Sequence, residues 1–583
     1  MTPSSRQWLI AVAVVVLMLT GCTSDQDTRQ SDTTRPAPTT TTAPDLPSID
    51  GVGVSAAKLG NYEMLEMAVG VSAEYENPYD QREVSLDALF VGPDGTEMEV
   101  PGFWDGREQW KVRFTPSQVG EWAYRVTVSD RRGLSPASTG SFVVNDSERR
   151  GWLQIGDTVD PSYSSHYLAW SDGTPWYGRG HADLDMGLGG ADPEGPGLRL
   201  FNAMPETGEN YVMWWPSWGN NFTAQAYDDY STAQLEIIDF VLREAETSGA
   251  TLVYTIWTHQ YLRTDAHPWG DSRWPLNGFS KLTDIAGFFT DEESLAWQEN
   301  YYRYIIARWG YSPAVAMWQT ITEINGTESY DQTNPWHQNL NAYFQENDPY
   351  RHPTTATMSG SVDWPEGHAV MDVPQVHLYE FLDDPIEAAA QFARWTELMW
   401  DREEKPNWVG EYGNRGQQFY PEMLHHSNWA SLGAGAAMTP SEWNDGASYG
   451  RFDDEMAADM ARLATFVEEV PLVTYDPARV GVTSSDPELR GWAVAGDTGG
   501  VLWVQDFALE GSTMDEIRAD HTVRTGASVA LDRLAGGTWT ITPFDTWAGV
   551  WMEPINIDCP GDQPCQLTLP DFSRDIAFKL IKN

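Results

Sequence analysis

The sequence predicts a multidomain chain, with a central (β/α)8 TIM barrel between an N-terminal and a C-terminal β-sandwich. Three observations predict it. Apolar and polar residues alternate with period two over residues 51–147, and do so again over 485–583. Between them, over 150–478, helical periods alternate with buried strands. A chain of 583 residues is long enough for several such cores.

Ahead of the first sandwich the chain reads as an address and a tether. In "MTPSSRQWLIAVAVVVLMLTGC", Arg6 and the amine give a positive start, and an apolar run follows from Leu9 to Leu19. That run is too short for a usual membrane span, so residues 1–21 read as a signal peptide. "LTGC" resembles a bacterial lipobox, which implies cleavage before Cys22 and a lipid thioether on its sulfur. Residues 22–50, with "TTRPAPTTTTAPDLP", have no apolar periodicity and read as a disordered tether. The expected place is the bacterial cell surface, outside the cytoplasm, with the membrane held through the Cys22 lipid. The other two cysteines, Cys559 and Cys565, bound the polar loop "CPGDQPC" and in an exported chain read as a local disulfide. A formal net charge of −49 argues against nucleic acid as a partner. The 28 Trp are mostly core, with a surplus suited to packing on the C–H faces of sugars.

In the first sandwich "WKVRF" (Trp110–Phe114) and "EWAYRVTV" (Glu121–Val128) alternate, and "NPYD", "GPDG", "TPSQVG" and "DRRG" mark turns. This part carries no titratable cluster. In the middle, "TAQLEIIDFVLREAETSG" puts Leu235, Ile238, Val241 and Ala245 on one helical face, with Gly249 as the stop. The strand "TLVYTIWTH" follows. "DEESLAWQENYYRYIIARWG" is a helix opened by Asp291 and closed by Gly310, and "SPAVAMWQTITE" is the next strand. "PWHQNLNAYFQENDPY" reads as helix, then "TTATMSG" and "VPQVHLYEF" as strands. No GxGxxG or GxxxxGK[ST] follows a strand, which argues against a doubly wound nucleotide-binding sheet. In the last part "GWAVAG", "GVLWVQDF", "TWTITPFDTWAG", "QLTLP" and "DIAFKLIKN" alternate.

In a barrel of this kind chemistry sits where strands end at their C-terminal side. Glu323 ends "AVAMWQTITE", His377 and Tyr379 end "VPQVHLY", Glu411 ends "PNWVGEYG", and Trp443 closes "AGAAMTPSEW". A carboxyl at the dry end of a strand resists ionisation, as a general acid must. Two glutamates at two strand ends suit cleavage of a glycosidic bond, which needs a proton donor and a second carboxylate.

These motifs resemble those of the retaining (β/α)8 glycoside hydrolases of clan A, family 5-like enzymes in particular. "WQTITEIN" is similar to the clan's strand-four motif and "EKPNWVGEYG" to its strand-seven motif. The resemblance implies Glu323 as acid/base and Glu411 as an ionised nucleophile in the more polar setting. "HLY" resembles the strand-six motif, which implies that Tyr379 hydrogen-bonds the nucleophile. "LHHSNWASLGAGAAMTPSEW" resembles strand eight, which implies a sugar-platform role for Trp443. The first sandwich, from "NPYD" to "GEWAYRV", is similar to the domain of unknown function 5060. The tail, with "TWTITPFDTWAG" and "LPDFSRDIAFKL", is similar to a collagen-binding-type β-domain that follows such barrels.

The chain departs from that pattern at two places. Thr322 stands where the clan has Asn before its acid/base, and Met213 stands where it has Arg after strand two, followed by Trp214 and Trp215. Arg179 or His181, in "YGRGHADLD", is the expected substitute. The expected substrate-binding set is Thr322, His377, Tyr379, Trp443, Trp214, Trp257, His259 and His181. For Trp257, Trp269 and Trp274, in the loop region after "TLVYTI", core packing and a subsite wall are both open. His425 and His426, adjacent on a predicted helix, are expected to point to different faces. No metal-ligand spacing is present, so neither metal nor cofactor is expected. The expected activity is retaining hydrolysis of an extracellular poly- or oligosaccharide. The rival, from another class, is a surface lipoprotein that captures glycans on a catalytically dead barrel. Thr322 and Met213 favour the rival; the presence of both glutamates favours the enzyme.

Overall fold

A computed structural model of the chain describes residues 46–182, 196–265, 269–380, 384–413, 420–443, 453–520 and 522–583. The expected signal peptide, Cys22 and most of the tether lie outside the described residues. No helix among the described residues is long and apolar enough to cross a membrane.

Residues 49–145 form two facing sheets. One pairs Ile49–Val54, Leu65–Val71, Trp110–Phe114 and Phe103–Trp104 in that order; the other is built on Gly120–Asp130, flanked by Val84–Val91 and Ser138–Asn145. Every second residue of Val84–Val91 is buried, so the alternation in sequence becomes one dry and one wetter face. Phe90 of one sheet stacks on Phe114 of the other, with ring centroids 3.8 Å apart.

The centre is a run of parallel strands in chain order: β1 (Gly180–Ala182), β2 (Tyr211–Trp214), β3 (Thr251–Thr258), β4 (Val315–Thr322) and β5 (Thr354–Thr355). A parallel pair, β6 (Gln375–Leu378) and β7 (Trp408–Tyr412), continues it. Val373 N donates to Thr354 O (3.0 Å), linking β5 to the start of β6. Residues 437–443 lie between β7 and β1. Ser441 N donates to Val409 O on one side and Thr439 N to Gly178 O on the other, with parallel bridges Tyr412↔Glu442 and Gly178↔Met438. The hydrogen bonds thus pass from β1 through β7 and back to β1. Parallel neighbours need crossovers. Helices α1 (Pro196–Thr207), α2 (Thr232–Ser248), α3 (Glu292–Trp309), α4 (Tyr330–Asn347), α5 (Pro385–Arg402), α6 (Pro421–Ala434) and α7 (Asp454–Val467) lie in these connections.

Local chemistry explains the elements. α2 buries Leu235, Ile238, Val241 and Ala245 and ends at Gly249, whose φ of +76° is the left-handed cap. α3 begins after Asp291, but the Asp291 carboxylate accepts from Thr283 Oγ1 (2.5 Å) instead of capping the helix. "TTATMSG" contributes only the two residues of β5. Arg113 of the sandwich and Arg308 of α3 both donate to the buried Asp239 of α2, at 2.8 and 2.7 Å, which joins the first sandwich to the centre.

The C-terminal sheet starts at Ala478, which pairs with Ala495, ahead of the expected boundary at 485. Its strand Asp575–Lys582 runs through the middle of the sheet. Cys559 and Cys565 are bonded, with Cα atoms 4.9 Å apart. Every residue of α6 is buried, because α5 and α7 flank it and the C-terminal strands cover it.

Candidate active site

Glu323 follows the last residue of β4 with φ +54° and ψ +51°, a left-handed conformation uncommon for a glutamate. Glu411 lies within β7, paired in register with His377 of β6. One oxygen of Glu323, one of Glu411 and a ring nitrogen of His377 all lie within 4.8 Å of one another. His377 Nδ1 is 3.1 Å from Glu323 Oε1 and 3.1 Å from Glu411 Oε2. Tyr379 OH donates to Glu411 Oε2 at 2.8 Å. On the other side of Glu323, His259 Nδ1 is 3.5 Å from Oε2.

The electrostatics reverse one expectation. Glu411 was expected in the more polar setting, but only 1% of it is exposed, against 4% of Glu323. Its Oε1 has no hydrogen-bond partner among the described residues. Burial, with the Glu323 charge added, pushes Glu411 well above the usual carboxyl range; only the Tyr379 hydrogen bond opposes this. Burial pushes Glu323 up as well, but the His377 hydrogen bond and the His259 and His377 rings outweigh it and hold Glu323 down. Burial keeps the imidazoles low too, His259 at about 4. The two carboxyls titrate as one system. The two directions favour a proton on Glu411 over one on Glu323 in this ligand-free geometry.

The other predicted residues divide. Trp443 is half-buried, and its ring lies 4.6 Å from that of Trp215. Gly413 is required beside it, since a Cβ there would meet Trp443 O at 1.8 Å. Thr322 is buried at the end of β4, and its hydroxyl has no hydrogen-bond partner among the described residues. His181 Nδ1 is 2.6 Å from Glu209 Oε1, and Thr207 Oγ1 donates to the same carboxylate. Trp214 was expected in the site but packs in the outer core on Tyr254. The alternation of β2 is the reason: Tyr211, Met213 and Trp215 share one core, Val212 and Trp214 the other. Trp257 was also expected to bind substrate. It is buried among Phe279, Phe288 and Tyr301, and its Nε1 donates to Tyr302 OH. Trp274 packs on Phe288. Arg179 precedes β1, at the opposite end of the strands from the glutamates, and its Nε donates to Gly208 O. It is no substitute for the missing cation.

Sequence reasoning passed over Arg263. It is 2% exposed and donates four hydrogen bonds, all to carbonyls: Trp269, Asp271 twice, and Gly326. It ties the connection after β3 to the turn that carries Glu323. Its partners are backbone carbonyls, which leave no mark in "QYLRTD". Trp215 and Trp218 were passed over as well. Arg273 stacks on Trp218, its guanidinium carbon 3.4 Å from the ring centroid. The period-two pattern of "YVMWW" was the available signal for Trp215.

His425 and His426, expected on different faces, both reach Asp575: His425 Nε2 at 3.1 Å and His426 Nε2 at 3.9 Å. Neighbours on a helix splay by about 100°, but the strand Asp575–Lys582 brings one carboxylate between the rings. His425 spends its Nδ1 on Asp459 (2.7 Å), so neither ring nitrogen is left for a metal. His425, His426 and Asp575, like Glu323, His377 and Glu411, place one donor atom each within 4.8 Å.

A family model for a domain of unknown function, DUF5060, matches residues 58–129, so that domain is present in the first sandwich. No curated protein matches the chain. Among solved structures it is similar to a protein of Bacteroides vulgatus provisionally assigned as a glycoside hydrolase. The TM-score is 0.62 at 17% identity, over 90% of this chain and 100% of that one. A second structure, described as a glycoside hydrolase, has a TM-score of 0.51 at 14% identity, over 74% of this chain and 97% of that one. At these identities the likeness is one of fold.

Proposed function

We propose that the protein is a retaining glycoside hydrolase, clan A and family 5-like, that cleaves a poly- or oligosaccharide with Glu323 and Glu411. The parallel circuit is read as a (β/α)8 barrel with these residues at the ends of its fourth and seventh strands. The observation that carries the reading is the buried carboxyl pair. Oxygens of the two lie within 4.8 Å, one His377 nitrogen touches both, and Tyr379 binds Glu411. Retention needs about 5–5.5 Å between the carboxyls, and inversion about 6.5–9.5 Å.

In this mechanism Glu411 attacks the anomeric carbon while Glu323 protonates the leaving oxygen. Glu323 then takes a proton from water, and the water breaks the glycosyl ester. Attack requires the resting proton to move from Glu411 to Glu323. His377 Nδ1, 3.1 Å from an oxygen of each carboxyl, holds the two in place for that transfer. Trp443, half-buried and backed by the buried Trp215, offers an aromatic face for the sugar.

A panel of aryl glycosides and polysaccharides, assayed with the wild type and Glu411→Ala, tests the reading. Hydrolysis of at least one member, absent from the variant, is expected. Equal activity in both would place the chemistry elsewhere. Binding without cleavage by the wild type would favour a glycan-capturing protein. Export and lipid anchoring at Cys22 belong to the same proposal, on the motif "LTGC". Mass spectrometry of the mature N-terminus should find a lipid-modified Cys22; an unmodified cysteine refutes the anchor.

A further inference from the structure

At the end of the strands away from the two glutamates lies a cavity of about 390 Å³, lined by Arg150, Arg179, Asn210, Trp176, Tyr177 and Glu468 among others. Small-molecule sites occupy roughly 300–1,000 Å³. The chain has 85 acidic and 36 basic residues, so a carboxylate is easy to find for most arginines. The buried Arg113 and Arg308 share Asp239. Arg263, without a carboxylate contact among the described residues, is satisfied by carbonyls. Arg179 has neither solution. Among the described residues its side chain makes one hydrogen bond, from Nε to Gly208 O, and neither Arg179 nor Arg150 makes an ion pair. Burial pushes the Arg179 guanidinium below its usual value, with Glu468 acting in the other direction. Trp176 Nε1 and the Tyr177 hydroxyl are also buried, without hydrogen-bond partners among the described residues.

We propose that this cavity binds a small organic oxyanion, a carboxylate or phosphate on a sugar-sized body, with Arg179 as its main anchor and Arg150 at its exposed rim. A guanidinium holds either oxyanion through paired N–H donors. Trp176 and Tyr177 give the body a flat aromatic wall. Glu468, exposed at the mouth, opposes anions and limits affinity.

Calorimetry on the full chain with D-glucuronate, glucose 6-phosphate and neutral glucose tests this. Saturable binding of one or both anions, at least about tenfold tighter than glucose, is expected. The arm that binds identifies the oxyanion. Arg179→Met should weaken that binding by about tenfold or more, and Glu411→Ala should leave it unchanged, which separates this site from the proposed catalytic one. Should Arg179→Met not fold, Arg150→Gln and Glu468→Gln are expected to move the affinity in opposite directions, down and up. Glucose binding as tightly as the anions, no saturable binding of either anion, or affinity indifferent to these substitutions would each overturn the proposal.

Discussion

Two buried histidines in this molecule each stand between two carboxylates, and they resolve the problem in opposite ways. His377 meets Glu323 and Glu411 at 3.1 Å each, through one nitrogen. His425 meets Asp459 and Asp575, through a different nitrogen for each, at 2.7 and 3.1 Å. Burial lowers both imidazoles. At His377 it wins, while at His425 the two carboxylate charges outweigh it and raise the ring to about 9. The difference lies in the other donors. Asp575 also accepts from Thr546 Oγ1 (2.6 Å), Trp547 Nε1 (2.6 Å) and Trp503 Nε1 (3.0 Å). Among the described residues Glu411 has only Tyr379 beside His377, and an oxygen without a partner. A carboxylate with its lone pairs satisfied stays ionised and keeps its imidazolium charged. A dry, under-supplied carboxyl keeps a proton instead. The His425 cluster fastens the C-terminal sheet to α6; the His377 cluster holds a proton that can be moved.

Substitutions should separate the two clusters. Glu411→Ala is expected to lower hydrolysis by about 10⁴-fold or more, as loss of a nucleophile does, with the fold intact by circular dichroism. Asp575→Asn should leave turnover on a soluble substrate nearly unchanged but cost about 3–5 kcal/mol of stability in denaturant titration, since a buried imidazolium loses its counter-charge. A loss below about 1 kcal/mol would erase the distinction.

The pH dependence of stability sharpens it further. His425 is raised in the folded state, so its contribution is fully present below the unfolded value of 6.5 and is lost as pH rises through about 9. The total is about 3 kcal/mol, and His425→Gln should remove that alkaline slope. The smallest effect has the opposite sign. Glu411→Gln relieves a carboxyl that resists ionisation in a dry site, and should raise stability by about 0.5–2 kcal/mol while abolishing activity. If Glu411→Gln and Asp575→Asn shift stability in the same direction, the two clusters do not differ as argued.

Much of this was legible because it is local. Period two marked the first sandwich, helical spacing marked α2 with its Gly249 stop, and strand ends marked Glu323, His377 and Glu411. What stayed hidden depends on which neighbour arrives. Trp214 and Trp215 are indistinguishable by type, and only the register of β2 sends one outward and the other toward Trp443. His425 and Asp575 are 150 positions apart, so no spacing rule joins them. The relative polarity of Glu323 and Glu411 depends on His259 and on donors that Glu411 lacks, neither of which a strand-end motif records. Arg263 is bound entirely to backbone carbonyls, which every sequence has.

The most direct measurement is azide rescue of the two glutamate variants on an activated glycoside such as a dinitrophenyl glycoside. Double displacement with Glu411 as nucleophile requires that Glu411→Ala plus azide yield the glycosyl azide of inverted configuration. Glu323→Ala, which still forms the glycosyl-enzyme with so good a leaving group, should yield the azide of retained configuration. The opposite stereochemistry in the two variants would exchange the roles, in line with the resting proton on Glu411. Wild-type turnover in both would remove Glu323 and Glu411 from the chemistry altogether.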